Sequence, residues 1–349
     1  MTAVTRPRSG RQRVSAGQVA NDVVLDVRDL TVEYIGPDGG TAACRDVTFQ
    51  LGRGEVLGIA GESGSGKSTL ITALTRLQRP PATTTAGSVV FHPADGTPGV
   101  DLVPLSPRRL RRLRWTSMSI VLQSAMDALN PVMRLGDQFA DVLRTHVPGL
   151  GKEGARTRTA ELLGMVGISA DRARSFPHEM SGGMRQRATI ALALACSPQL
   201  VVMDEPTTAV DVVMQRQILA QVLRLRRELG FAVIVVTHDL SLLLEVADRI
   251  AIMYAGRIVE IGTAEALYRD PAHPYTRGLR DSFPPLHAPL TTLRGIPGTP
   301  PDLRRLPTGC PFHPRCPVAV AECSDVLPAL VSLPEQSAAC LLVNQEATP

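Results

Sequence analysis

The period of apolar residues changes several times along the 349-residue chain, and each change marks an element. Val23 to Val27 and Leu30 to Tyr34 read as strand segments that stop at the turn-rich stretch IGPDGG, residues 35–40. Alternation resumes over Val47 to Leu51, and Glu55 to Ala60 (EVLGIA) is a short, almost wholly apolar strand. A Gly/Ser loop follows, then a helical pattern from Ser68 towards Leu77. Pro80 stops it, because proline lacks the N–H that the next turn needs. Residues 92–107, rich in Pro, Gly and Asp, fit an irregular surface loop or hairpin.

From Arg108 to Met180 the pattern is mostly helical, with one strand at Ser119 to Gln123. Leu200 to Met203 and Phe231 to Thr237 are continuous apolar runs of strand length. Between them Ile218, Val222, Leu225 and Leu229 keep helical spacing over Val212 to Leu229, and Gly230 ends the helix. Strands that are apolar on both faces and alternate with helices require a largely parallel sheet covered on both sides, an α/β fold. No internal repeat is visible. Beyond Asp270 the chain turns Pro-rich and irregular, which sets a boundary: a tail over 1–20, a main domain over 21–270 and a C-terminal extension over 271–349.

Hydrophobic residues make up 44% of the chain and charged residues 20%, ordinary for a folded globular protein. The 37 Lys plus Arg exceed the 33 Asp plus Glu by only four charges, too few to argue a nucleic-acid partner. Aromatics at 3% disfavour base-stacking or sugar-stacking surfaces. The longest apolar runs, Ala188 to Ala195 and Phe231 to Val236, fall far short of the roughly 20 residues that cross a bilayer. Met1 to Ala20 is basic but lacks the apolar stretch of a signal peptide, so it reads as a disordered tail on a cytoplasmic protein. The arginines at 108, 109, 111, 112 and 114 read as one solvated helix face.

Gly61-Glu62-Ser63-Gly64-Ser65-Gly66-Lys67-Ser68-Thr69 has the spacing G-x4-G-K-[ST] and sits where that pattern demands, after a strand and opening a helix. Glycines let the backbone curl into a nest of N–H donors, and the helix N-terminus adds its positive end. Lys67 is placed to reach the β- and γ-phosphates and Ser68 to ligate Mg²⁺, so the loop predicts a nucleoside triphosphate. Leu200 to Met203 then delivers Asp204 and Glu205 at a strand end. Asp204 suits an outer-shell hold on Mg²⁺ there, and Glu205 can polarise the attacking water as general base; from the residues alone, the pair could instead be a solvated turn.

Met180-Ser181-Gly182-Gly183-Met184-Arg185-Gln186-Arg187 resembles the LSGGQ signature of ABC-type ATPases, with Ser181 as a good helix N-cap. Met180 and Met184 stand where Leu and Gln are usual, a departure familiar in the peptide-transporter branch. In that family Ser181, Gly182 and Gly183 would face the γ-phosphate held by an opposing subunit. The resemblance extends over residues 30–240 in order. It makes Gln123 the glutamine that touches Mg²⁺ or water, Asp211 the aspartate that communicates across the dimer, His238 the switch histidine at the γ-phosphate, and Tyr34 the ring against adenine. From the residues alone, Gln123 could cap a strand, His238 sit at a core edge and Tyr34 line a strand face. The implied fold is a P-loop ABC nucleotide-binding domain with an inserted helical subdomain near 106–180.

Ala128-Leu129-Asn130-Pro131-Val132 and the tail His273-Pro274-Tyr275-Thr276-Arg277-Gly278-Leu279, with Ser282-Phe283-Pro284 and Gly295 to Pro301 after it, resemble oligopeptide and dipeptide importer ATPases. Ser124-Ala125 replaces that family's acidic-Pro pair, a departure in the coupling region. Four of the six cysteines fall in the last 40 residues. Cys310, Cys316, Cys323 and Cys340 have the spacing C-x5-C-x6-C-x16-C, which matches tetrahedral zinc or an iron–sulfur cluster equally in number and lacks C-x2-C. Resemblance to importer subunits with a C-terminal [4Fe-4S] cluster favours iron–sulfur over zinc. Cys44 and Cys196 read as packing residues.

The resemblance implies an ATP-binding and ATP-hydrolysing subunit, peripheral at the cytoplasmic face of the cell membrane, that energises a peptide importer. Its partners would be a second ATP-binding subunit, two membrane permease subunits and an extracytoplasmic solute-binding protein, with no nucleic acid. The rival reading is a soluble ABC ATPase of DNA repair or translation. Such proteins usually carry coiled-coil insertions, zinc hooks or two ATPase domains, none of which is visible here.

Overall fold

The computed structural model describes residues 22–37, 39–122, 128–206, 212–282 and 295–346. The expected tail over 1–20, Gln123, Ser124-Ala125, Asp211 and Phe283-Pro284 lie outside them. The described residues begin with an antiparallel hairpin, β1 (Val23–Gly36) and β2 (Gly39–Gly52), in which Gly36 pairs with Gly39 inside the expected stretch. The two expected strand segments are one strand, because Asp29 takes a left-handed backbone (φ 48°) and bulges it between Val27 and Leu30 instead of breaking it. β3 (Val56–Ala60) leads through the Gly/Ser loop into α1 (Lys67–Leu74). That helix stops before Leu77: Arg76 adopts φ 55°, and the Thr75 hydroxyl donates back to the Ile71 carbonyl.

Next come β4 (Ala82–Phe91), β5 (Val100–Asp101), α2 (Pro107–Leu113) and β6 (Met118–Val121). α2 exposes Arg108, Arg109, Arg111 and Arg112 and buries Leu110, whereas Arg114, expected on the same solvated face, is half-buried and donates to the Arg76 carbonyl at 2.8 Å. α3 (Leu135–His146), α4 (Lys152–Met165) and α5 (Gly182–Ala193) follow. Then β7 (Leu200–Asp204), α6 (Val212–Leu229) and β8 (Ala232–Val236) alternate as the sequence predicts, and α7 (Leu240–Val246), which the pattern did not mark, follows them. β9 (Arg249–Tyr254), β10 (Arg257–Thr263), α8 (Ala264–Arg269), α9 (Pro274–Asp281), β11 (Val331–Ser332), β12 (Gln336–Ala338) and α10 (Leu341–Glu346) close the chain.

Two sheets result. The larger runs β11-β12-β10-β9-β3-β8-β7-β6, parallel from β9 through β6; the smaller is antiparallel, β2-β1-β4-β5. The central parallel strands are wholly buried, and their residues alternate between two cores. Leu57, Ile59, Leu200, Val202, Ile234 and Val236 face the antiparallel sheet and α1. Val56, Val201, Met203, Val233 and Val235 face the helices from α3 to α6. A parallel sheet buried on both faces is why these strands read as unbroken apolar runs. Its strand ends converge on the loops after β3, β7 and β8, the crevice where open α/β sheets bind ligands. No described helix is long and apolar enough to cross a membrane.

Candidate active site

The loop after β3 is held by backbone contact. A Cβ on Gly66 (φ 103°) would lie 2.2 Å from the Ala43 carbonyl oxygen, and one on Gly61 (φ 150°) equally close to that of Met253. Only glycine admits both the left-handed backbone and this approach. Lys67 is buried, and its Nζ donates to the carbonyls of Gly61 (2.7 Å) and Glu62 (2.9 Å). Burial pushes its pKa down, against the pull of Glu205, Asp204 and Glu62. Ser65 lies buried within the loop, its hydroxyl without a partner, while Ser63 and Gly64 are exposed at the loop's crest.

At the end of β7, burial pushes the Asp204 carboxyl up, and the Ser68 hydroxyl, which donates to it, pulls the other way. Asp204 Oδ1 is buried with no partner. A hydroxyl and an unsatisfied carboxylate oxygen side by side are oxygen ligands for a small hard cation, so the donor set fits Mg²⁺. Glu205 takes a left-handed backbone (φ 44°), with its N–H donating to Val236 O at 2.8 Å. That turn aims its carboxylate at His238 after β8, with Nδ1···Oε1 at 3.2 Å. Tyr34, half-exposed on β1, has its hydroxyl 3.1 Å from that of Thr69 on α1, so its ring stands beside the phosphate loop. The structure therefore brings together Tyr34, the 61–69 loop, Asp204, Glu205 and His238.

Ser181 is the N-cap of α5, and its hydroxyl accepts from the Met184 N–H at 3.3 Å. Gly182 and Gly183 open that helix; a Cβ on Gly183 would meet Met214 Sδ at 2.7 Å. Gln186 is buried and donates to the Pro206 carbonyl, tying α5 to the segment after Glu205.

The tail after 270 packs against this site. Glu260, buried on β10, accepts from the N–H groups of Ala272 (2.6 Å) and His273 (3.1 Å). His273 caps α9 by accepting from Tyr275 N–H at 3.0 Å, and complete burial lowers its pKa to about 4, so the imidazole is neutral. The Tyr275 hydroxyl accepts the Glu62 N–H at 2.9 Å, and Arg315 donates to both Glu62 carboxylate oxygens at 2.7 and 2.9 Å. Sequence reasoning missed both links. Nothing local marks Arg315, since its partner lies 253 residues away.

Cys310, Cys316, Cys323 and Cys340 line one small cavity of about 20 Å³, beside His273 and Phe312. Burial raises the pKa of Cys310 and Cys316, and Cys323 and Cys340 raise each further. Among the described residues no three or more His, Cys, Asp or Glu side chains are gathered to hold a metal ion. The expected metal centre is thus not seen as a gathered ligand set among the described residues; the four thiols share only the lining of that cavity. Cys44 is fully buried, its thiol pushed up to about 12 by burial, as a packing residue requires.

Phosphate loop, strand-end acids and a serine-capped helix on a mostly parallel sheet define an ABC-type P-loop ATPase. The family model described as ABC transporter matches residues 44–208, and that described as oligopeptide/dipeptide transporter, C-terminal region, matches 259–323. The chain is 42% identical over 335 residues to the oligopeptide transport ATP-binding protein OppD of Escherichia coli, covering 95% of this chain and 97% of that one. It is 40% identical to the dipeptide transport ATP-binding protein DppD of Bacillus subtilis, over 93% and 96% of the two chains. Its fold is similar to the dimeric structure of MJ0796, a bacterial ABC transporter cassette, at TM-score 0.61 and 27% identity, covering 69% of this chain and 98% of that one. A post-hydrolysis dimer of MJ0796 bound to ADP and Pi matches equally, at TM-score 0.61. The chain belongs to the oligopeptide/dipeptide family of ABC transporter ATP-binding proteins.

Proposed function

We propose that this chain powers import of oligopeptides, dipeptides or a related small solute from the cytoplasmic face of the cell membrane. The observation that carries the reading is the joining of an ATP-type phosphate loop to a C-terminal segment of the oligopeptide/dipeptide transporter kind. Lys67 and the N–H groups of residues 61–69 hold the β- and γ-phosphates; Ser68, Asp204 and Gln123 hold Mg²⁺; Tyr34 stacks on adenine. Glu205 takes a proton from the attacking water and His238 orients the γ-phosphate, a division of labour supported by their 3.2 Å contact. Ser181, Gly182 and Gly183 meet the γ-phosphate of the partner ATPase, and Asp211 reports across that interface. The domain spans 21–270, with α3 and α4 as the core of a helical subdomain near 106–180 that pulls on two permease subunits fed by an extracytoplasmic binding protein.

The four cysteines of the extension 271–349 are the ligand set we assign to a [4Fe-4S] cluster. Zinc draws four thiolates to bonding distance of one atom, whereas a cluster spreads them around a cube. Four thiols lining one small cavity support a shared thiolate-bound group of either kind, and the choice of a cluster over zinc rests on the resemblance of the extension to importer subunits that carry one. A cluster would supply electron storage or a structural staple, and the chain's part is to hold the four thiolates.

Co-purification of the tagged chain from native membranes, without oxygen, tests both parts. The expected result is two polytopic permeases, a second ATPase and a solute-binding protein, with iron and acid-labile sulfide on the chain. Recovery with ribosomal or nucleic-acid partners alone would overturn transport, and a preparation free of iron would overturn the cluster.

A further inference from the structure

Glu62 fills a position that the phosphate-loop pattern leaves open to any residue, yet every polar group it carries is engaged. Its N–H donates to the Tyr275 hydroxyl at 2.9 Å, its carbonyl accepts from Lys67 Nζ at 2.9 Å, and its carboxylate receives both arms of Arg315 at 2.7 and 2.9 Å. Two of the three ties come from the C-terminal segment. Arg315 is itself locked: it is 7% exposed, its Nε donates to the Pro297 carbonyl at 2.8 Å and its Nη1 to the Tyr254 hydroxyl at 3.3 Å. Phe312, fully buried with its ring centroid 5.3 Å from those of Tyr254 and Tyr275, fixes the backbone that carries it.

We propose that Arg315 and Tyr275 are positioning residues for nucleotide binding, which act through Glu62 to hold the phosphate loop in the form that accepts ATP. The inference rests on the reading of that loop as the ATP site. A loop that must order on each binding event loses affinity for the entropy it gives up, whereas one ordered by the fold does not. Buried ion pairs of this kind add little net stability, because desolvation offsets attraction. Their planar, two-armed geometry does fix position. The carbonyl of the clamped residue is also a seat of the Lys67 ammonium, so moving Glu62 moves the lysine that must meet the phosphates.

Titration of the full-length chain with a fluorescent ATP analogue, alongside steady-state hydrolysis, tests this. Tyr275→Phe removes one hydroxyl and leaves the ring packing, so it keeps the fold whatever Arg315→Met does. The dissociation constant is expected to rise about tenfold in Arg315→Met, the equivalent of ~1.4 kcal/mol, and severalfold in Tyr275→Phe. Arg315→Lys is expected to recover part of the loss, since it keeps the charge and gives up the fork. Glu62→Gln with Arg315→Met is expected to bind no more weakly than Arg315→Met alone, because both cut one link. The KM for ATP should rise while kcat stays within about twofold, the mark of lost binding common to ground and transition states. Unchanged affinity in Tyr275→Phe and in any folded Arg315 variant, or a loss confined to kcat, would overturn the proposal alone. Failure of the parent chain to bind the analogue would overturn the ATP reading as well.

Discussion

Burial disfavours the charge on both Lys67 and Asp204, raising the acid and lowering the base, so each charge is costly where the fold puts it. A polyphosphate beside the ammonium and a divalent cation beside the carboxylate would answer both costs at once, which makes this corner a binding site more than a stabilising one. Glu205 adds a left-handed backbone, a local strain of the kind that collects at functional sites. Glu205→Gln keeps the backbone, the size and a hydrogen-bonding oxygen while it removes the base. ATP affinity should stay at the parent's level and single-turnover phosphate release should fall ~10²–10⁴-fold. Near-normal release would mean that another group activates the water. Lys67, Ser68, Asp204 and Glu205 were legible in the sequence because each motif is local and bound to its own strand end. Glu62's partners were not, because a fold contact across 253 residues leaves no spacing to read.

Among elements, burial made three strands legible but not every buried one, since β9 and β10 are buried almost as fully and were not expected. β3, β7 and β8 are buried on both faces and announce themselves as apolar runs. β4 carries no such mark: over Ala82–Phe91 only Val89 and Phe91 reach the core, and the signal left is the β-branched run Thr83 to Thr85. The β9–β10 hairpin could have been found from Ala255-Gly256, both at positive φ, which close it as a two-residue turn. The start of α5 combines two roles that one substitution can separate. Ser181 satisfies an orphan N–H at 3.3 Å, and the same helix end is our assigned γ-phosphate contact. Aspartate caps helices as well as serine and suits the helix dipole, but brings a negative charge to a phosphate site. Ser181→Asp should therefore leave the thermal midpoint within a degree or two and cut hydrolysis about 10²-fold, the scale of losing one oxyanion contact. Parent-level hydrolysis in that variant would reduce Ser181 to a cap.

For the molecule as a whole, the extension after residue 270 looks in sequence like an appendage, Pro-rich and irregular, and its place in the fold rests on contacts that composition does not encode. β12 pairs with β10 through Glu260 to Gly262, and β11 pairs with β12, so the extension lengthens the main sheet by two strands. Phe312 is 2% exposed among Tyr254, Tyr275 and His273, and Arg315 reaches the phosphate loop. A chain ending after Ser282 would bare the β10 edge, which invites pairing with other chains, and empty the Phe312 pocket, a loss of ~3–5 kcal/mol by itself. At ~2–4 °C per kcal/mol for a domain of this size, the thermal midpoint should fall by about 10 °C or more. ATP affinity should drop further than in Arg315→Met, since the arginine and its supports leave together. Size-exclusion, melting and nucleotide titration on the truncated chain decide the matter. A monomer with the parent's midpoint and affinity would make the extension an accessory to the ATPase; the expected losses would make it part of the fold that shapes the site.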